Sequence, residues 1–128
     1  MAKYAHPDVL DNGPAYIKTN CNKVAVVIAY TFGDSYATVN TNILAEAAMA
    51  TGDFTLGASV NDRTLTSAAG KQDASANATG AASHIAFLDT VNLKVLWVTE
   101  ETSGQVITIG NPVTFPSLVY TAKQPVAP

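Results

Sequence analysis

Short segments with strand character dominate the chain after Gly52, and turn residues separate them. The segments are rich in β-branched and aromatic residues, whereas the stretches between them are rich in Gly, Asn, Asp, Ser and Pro. The segments are FTLGAS (54–59), RTLTSA (63–68), HIAFLD (84–89), KVLWVTE (94–100), QVITI (105–109), PVTF (112–115) and SLVYTA (117–122). Such a series with little helix predicts a mainly β domain, arranged as a β-sandwich or a jelly roll.

An apolar run, VAVVIAY (24–30), precedes these segments. Its β-branched residues and short length predict a strand that is buried on both faces. It is also the longest strongly apolar run, and it falls far short of the ~20 residues that a membrane-spanning helix needs. We therefore expect a first core strand here and no membrane partner.

The segment KVLWVTE is expected to form two hairpins, one with HIAFLD before it and one with QVITI after it. Regular alternation would place Val95, Trp97 and Thr99 on one face of this strand. Leu96 and Val98 would lie on the other face. Because both faces are then apolar, core packing is favoured for the single tryptophan over an exposed platform for stacking sugars.

One short helix is predicted at residues 42–50. Ile43 and Ala47 recur at the four-residue spacing of an amphipathic helix, and Thr41 or Asn42 could cap its start. We expect this helix to span two or three turns.

The segment AAGKQDASANATGAAS (68–83) contains Ala, Gly and Ser in abundance and no large apolar residue. It is compatible with an exposed loop, and equally with a strand of small residues that another subunit approaches closely. The sequence leaves both interpretations open.

The start of the chain differs from the rest, which divides it into an N-terminal arm (1–22) and a single β-rich domain (23–128). Pro7, Gly13 and Pro14 interrupt the arm, so we expect it to be extended. Its apolar anchors are Tyr4, Val9, Leu10, Tyr16 and Ile17. Since disordered tails lack such anchors, the arm is expected to lie along its own domain or along a neighbouring subunit.

Composition limits the classes of partner. The chain has 128 residues, a formal charge of −3 and only 13% charged residues, so it offers no basic face for nucleic acid. No secretory signal is evident at its start, which indicates synthesis and retention in the cytoplasm. The low charge also suggests that part of the exterior lies against another molecule.

Few residues suggest catalysis or metal binding. His84 follows Ser83 without a nucleophile-elbow pattern, so a strand-end histidine with a local hydrogen bond is the favoured interpretation. His6 lies 78 positions away, and no ligand triplet accompanies either histidine. The single cysteine, Cys21, excludes an intramolecular disulfide and is expected to be a small packed residue.

The only adjacent carboxylates, Glu100 and Glu101, would point to opposite faces of a strand and could not act as a facing acid and base. The sequence therefore predicts no enzymatic activity, no cofactor and no metal site.

Several segments together resemble a known class of protein. They are MAKYAHPDVLDNG (1–13), AYIKTN (15–20), GDSYATV (33–39), LAEAAMATGDF (44–54), SHIAFLD (83–89) and KVLWVTEET (94–102). These segments resemble the small virion structural proteins of tailed bacteriophages, of the head decoration or capsid cement type. The likeness covers most of the chain and contains no catalytic motif.

This resemblance implies a β-sandwich or jelly-roll subunit that binds the outer head surface across neighbouring major capsid proteins. It implies a homo-oligomer, with a trimer favoured and a dimer possible, and a non-enzymatic role in stabilising the capsid lattice. Under this hypothesis the arm contacts the capsid or another subunit through Tyr4, His6, Val9, Leu10, Tyr16 and Ile17.

Two other classes of function remain. A tail-associated module that binds a receptor or a glycan would require Trp97 or tyrosines exposed in a concave site. A hydrolase is the least favoured class, because the named motifs supply no pair of nucleophile and base.

Overall fold

The protein is mainly β in a computed structural model that describes residues 7–100 and 105–123. Its helices are α1 (Pro7–Asn20) and α2 (Tyr36–Thr41), with a 3₁₀ turn at Thr51–Asp53. Its strands are β1 (Lys23–Val27), β2 (Ile43–Ala48), β3 (Phe54–Ser59), β4 (Asp62–Ser67), β5 (Lys71–Asp73), β6 (Gly80–Ala81), β7 (His84–Asp89), β8 (Lys94–Glu100), β9 (Val106–Ile107), β10 (Val113–Phe115) and β11 (Val119–Ala122). The prediction of a mainly β protein is confirmed.

The strands form antiparallel sheets. The largest has four strands in the order β2-β1-β7-β8, and a second has three in the order β11-β4-β3. The remaining strands form the pairs β10-β5 and β6-β9. The predicted hairpin of β7 and β8 is confirmed, whereas β9 pairs with β6 and not with β8, so the second predicted hairpin is wrong.

The strand β1 lies at the centre of the core, as predicted for the first part of the apolar run 24–30. The prediction is wrong for residues 28–30, because the strand ends at Val27 and Ile28 is 44% exposed. Val24 and Val26 pack into a first cluster that includes Phe54, Leu65 and Phe87. The alternate residues of β1 pack into a second cluster on the opposite side of the same sheet, whose buried members are Ala25, Val27, Val39, Ile43, Ala86 and Leu88. Because both faces are covered, β1 tolerates no polar side chain between its ends.

Residues 7–20 form the helix α1, so the prediction of an extended arm is wrong for this part of the chain. Gly13 and Pro14 are poor helix formers, and a proline inside a helix removes one backbone hydrogen bond. Packing outweighs this cost, because Pro14 and Ile17 are buried where α1 contacts β3, β4 and β11. The Asp11 carboxylate accepts a 2.8 Å bond from Arg63 Nε, which fixes the helix on β4.

The predicted helix at 42–50 is also wrong, since this segment forms β2 and the short helix α2 precedes it. The hydroxyl of Ser35 caps the start of α2, and Asn42 is the C-cap that follows its last residue, Thr41. A short Ala-rich segment fits both the 3.6-residue periodicity of a helix and the two-residue periodicity of a strand. Pairing with β1 decides the outcome here, because it directs Leu44 into the first cluster and Ile43 into the second.

The segment 68–83 packs partly against its own chain, while half of its sixteen residues are exposed. It contains β5 and β6, its Ala76 and Ala82 are buried, and the carbonyl of Leu44 accepts bonds from two of its backbone amides. At Gly80 a Cβ atom would lie only 2.7 Å from Ile28 Cδ1. The small residues of this segment therefore let other parts of the same chain pack closely against it.

A bulge in β8 changes the expected alternation. Phe87 pairs with Trp97, but the next residue of β7, Leu88, pairs with Val95. Leu96 and Trp97 consequently pack towards the first cluster, while Val95 and Val98 pack towards the second. The prediction that Val95 and Trp97 share a face is therefore wrong.

The core role predicted for Trp97 is confirmed by its ring contacts. Its indole stacks on Phe87 at a centroid distance of 4.5 Å, and Tyr120 meets it at 5.5 Å in a T-shaped arrangement. Among the described residues, no helix has the length and apolar character to cross a membrane.

Candidate functional site: two exposed apolar surfaces

The predicted contact residues of the arm occupy different environments. Ile17 is 5% exposed and belongs to the first core cluster, so it is not at the surface. Tyr16 is 43% exposed, and Lys94 Nζ donates a 3.1 Å bond to its hydroxyl. Val9 and Leu10 lie within α1, but their side chains lie outside the described part of the chain, as do Tyr4 and His6.

Beside Tyr16, the turn between β7 and β8 presents two apolar side chains to solvent. Val91 is 78% exposed and Leu93 is 62% exposed. We call Tyr16, Val91 and Leu93 the turn surface. It is connected to the sheet through Lys94, which bonds to Tyr16 and begins β8.

The turn surface has a rigid base formed by Asp89. This carboxylate is 1% exposed and accepts bonds from the backbone amides of Asn92 and Val91, both at 3.0 Å. The Asn92 side chain adds a third bond at 2.8 Å, and these donors hold the pKa of Asp89 below its usual range. Asn22 fixes the turn from the other side by bonding to the hydroxyl and amide of Thr90.

The backbone of the turn is strained. Leu93 has a φ of +55°, and so does Val60 at the tip of the β3-β4 hairpin, where the side chain is 95% exposed. The left-handed region costs an ordinary L-residue about 1–2 kcal/mol. Gly or Asn would adopt the positive φ of these turns at a lower cost in free energy. The apolar side chains are therefore not explained by the stability of the isolated chain.

A cavity of about 430 Å³ lies between the turn and the end of α1, with Cys21, Met49 and Val91 among its lining residues. The predicted packing of Cys21 is confirmed, since its side chain is buried and its Sγ lies 3.4 Å from the carbonyl of Lys23. Burial raises the pKa of the Cys21 thiol to about 11. The thiol stays protonated at neutral pH and is a poor nucleophile.

A second apolar surface lies beside β8. Tyr30, Phe32 and the side chains of 95–98 line an open cavity of about 290 Å³. Phe32 is 98% exposed, whereas the other five lining residues are half-buried. We call these six residues the edge surface, because β8 is the outer strand of the four-stranded sheet.

The candidate catalytic residues make local contacts. Ser83 Oγ lies 2.8 Å from His84 Nδ1, which confirms the predicted local hydrogen bond of a strand-end histidine. The His84 ring lies 5.6 Å from the ring of Tyr30. Glu100 pairs with His84 across the β7-β8 ladder, while Glu101 lies outside the described part. Within residues 7–100 and 105–123, no group of three His, Cys, Asp or Glu is arranged to hold a metal ion.

Sequence reasoning missed Phe32, Val60, Val91 and Leu93. Each is a lone apolar residue inside a stretch of turn residues, and this contrast is the signal that would have identified them. No family model, curated protein or solved structure matches the chain, so these comparisons assign it to no family.

Proposed function

We propose that the protein is a non-enzymatic decoration or cement protein of a bacteriophage head. In this proposal it binds the outer surface of the head and stabilises the lattice of the major capsid protein. The resemblance of its segments to small virion structural proteins supports the class of function. The observation that carries the proposal is the turn surface, where apolar side chains project from a strained and firmly held turn.

The energetics of the turn surface favour a binding role. Burying an exposed Val or Leu side chain contributes about 1.5–3 kcal/mol, which is lost while Val91 and Leu93 face water. Contact with a second protein would recover this free energy and offset the backbone strain at Leu93. The bonds to Asp89 hold the turn in place beforehand, so binding would order few additional groups.

Oligomerisation would strengthen weak contacts of this kind. A closed homo-oligomer, trimeric or dimeric, presents several identical turn surfaces to a repeating lattice. Once one subunit is bound, the others are held near their own sites at a high effective concentration. The overall affinity is then high even when each contact is weak. A protein that binds the assembled lattice, and not the separate capsid subunits, stabilises the lattice by mass action. The sandwich or jelly-roll arrangement and the location in the virion are parts of the same proposal.

A tail-associated module that binds receptors or glycans is the alternative, and the three aromatic residues of the edge surface favour it. A sugar-stacking platform needs a free ring face, however, and the Trp97 indole packs against Phe87 and Tyr120. Fluorescence of Trp97 tests this point. Weak quenching by acrylamide is expected for a packed indole, and strong quenching would favour the glycan-binding alternative.

The proposed function is tested by binding to heads that lack their decoration protein. Val91→Ser should weaken cosedimentation of the protein with such heads about tenfold or more, because it removes most of one exposed apolar contact. Ile109→Ser is the matched control, since Ile109 is 61% exposed at a different place. Equal binding by the two variants, or no binding by the unaltered protein, would contradict the proposal.

A further inference from the structure

We propose that the major capsid protein presents a carboxylate, from an Asp or Glu side chain, to the turn surface, and that this carboxylate pairs with Lys94. This inference rests on the proposed function and specifies the chemistry of the partner. Lys94 is exposed and lies beside the turn surface, because it follows Leu93 in the chain and its Nζ donates a 3.1 Å bond to the Tyr16 hydroxyl. Residues 90–93 are uncharged, so Lys94 brings a positive charge to this surface.

In the part of the chain that the structure describes, Lys94 forms no ion pair with a carboxylate. Three other cationic side chains there do form ion pairs, at 3.1, 2.8 and 2.9 Å. Asp89 occupies the position on β7 that pairs with Lys94. Its carboxylate is buried, however, and accepts bonds from the turn itself. Lys94 therefore presents its ammonium group to solvent while the partner is absent.

A partner that covers the turn surface would remove water from this ammonium group. Lys94 Nζ lies 5.6 Å from the centroid of the Tyr16 ring, so a protein that packs on the ring also approaches the charge. Removal of a charge from water is strongly unfavourable unless an opposite charge replaces the water. The apolar contacts of the turn surface are therefore best made by a partner that supplies an anion beside them.

The side chain of Lys94 is positioned for such a contact. An ammonium group has three N–H donors, and the bond to the Tyr16 hydroxyl uses one of them. Two donors can therefore bond to a carboxylate, and bonds between two charged groups are stronger than bonds between neutral ones. Because Tyr16 already holds the long side chain in place, the contact would order few further torsions.

The dependence of binding on salt tests the proposal with heads that lack their decoration protein. Binding of the unaltered full chain should weaken about threefold or more between about 50 mM and about 500 mM NaCl, because salt screens ion pairs. Lys94→Met should weaken binding about tenfold at the lower salt, since it removes the charged hydrogen bonds. The binding that remains should lose most of its dependence on salt. Lys94→Arg keeps the charge and should retain that dependence.

Two further variants isolate the effect of the charge. Lys123→Met is the matched control, since Lys123 is an exposed lysine outside the turn surface, and it should bind as the unaltered protein does. Tyr16→Phe removes the internal bond to Lys94 and keeps the ammonium group. Its binding should still weaken with salt, and loss of this dependence would assign the effect to the internal bond and contradict the proposal.

Cross-linking with a carbodiimide identifies the partner of Lys94 directly. This reagent forms an amide bond between a lysine amine and a carboxylate in contact with it. Mass spectrometry of treated, decorated heads should find Lys94 joined to an Asp or Glu of the major capsid protein. A decorated head in which Lys94 is not joined to the capsid protein, or is joined to a second copy of this chain, would overturn the proposal.

The outcomes separate this inference from the proposed function. Absence of binding by the unaltered protein overturns both. Binding that Lys94→Met leaves unchanged, or that keeps its full salt dependence in this variant, overturns the partner carboxylate alone, and the capsid role stands.

Discussion

The centre of the four-stranded sheet and its outer turn use apolar residues in opposite ways. In β1, residues 24–27 are buried between two core clusters, so their side chains stabilise the fold. In the turn before β8, Val91 and Leu93 face water, and Leu93 adopts a strained backbone conformation. The buried centre is explained by the chain alone, whereas the exposed apolar side chains of the turn are not; under the proposed function the capsid covers them. Under the proposed function, residues that reduce the stability of the isolated subunit therefore belong to its binding surface.

The largest expected effect lies at the centre of the sheet. Phe87→Ala should destabilise the protein by about 3–5 kcal/mol, because Phe87 is 1% exposed and contacts both Phe54 and Trp97. Chemical denaturation followed by Trp97 fluorescence measures the change. A loss below about 1 kcal/mol would show that this ring is not a central element of the core.

The next prediction compares the effects on stability of substituting two adjacent residues of α1. Ile17→Ala should cost about 2–4 kcal/mol of stability, because Ile17 is buried, whereas Tyr16→Ala should cost less than about 1 kcal/mol. Tyr16→Ala should instead weaken binding to heads. Equal losses of stability in the two variants would contradict the position of α1, and unchanged head binding by Tyr16→Ala would remove Tyr16 from the turn surface.

Acid should destabilise the turn through Asp89. Its folded-state pKa is depressed by bonds from Asn92, and Lys71 likewise lowers the pKa of Asp53. A carboxylate with a depressed pKa contributes stability above its unfolded pKa of about 4, and this contribution is lost as pH falls through the folded value. Denaturation at about pH 6 and about pH 3 should show a smaller acid loss for Asp89→Asn than for the unaltered protein. Identical acid losses would contradict this role.

The smallest expected effect is a gain in stability. Leu93→Asn should stabilise the protein by about 0.5–1 kcal/mol, because Asn tolerates a positive φ better than Leu does. The same variant should bind heads more weakly, since it removes an exposed apolar side chain. Thermal denaturation and head cosedimentation together measure both effects. A variant that is more stable and still binds normally would break the link between strain and binding.

The sequence predicts the strands of the hairpin and of β1 because their signals are local. Regular apolar patterns bounded by turn residues define 54–59, 84–89 and 94–100, and the structure has strands with these same bounds. The elements that were predicted wrongly depend on distant contacts. The helix α1 is stabilised by packing on the sheet of β3, β4 and β11, and β2 by pairing with β1.

The same distinction applies to the candidate site. Tyr16 could be identified as a surface anchor from its place in the arm, but burial of its neighbour Ile17 depends on how α1 docks. The exposure of Val91 and Leu93 was missed because a search for turn residues passes over the apolar residues between them, although their contrast with those neighbours is visible in the sequence. The bulge at Leu96 likewise leaves no local signal, so the faces of β8 required the structure.

A cryo-electron-microscopy map of the virion that carries this protein tests the central claim most directly. The account predicts density for the β-rich domain on the exterior of the head, with Tyr16, Val91 and Leu93 in contact with the major capsid protein. Density on the tail, absence of the protein from the head surface, or a turn surface that faces solvent on the decorated head would contradict it.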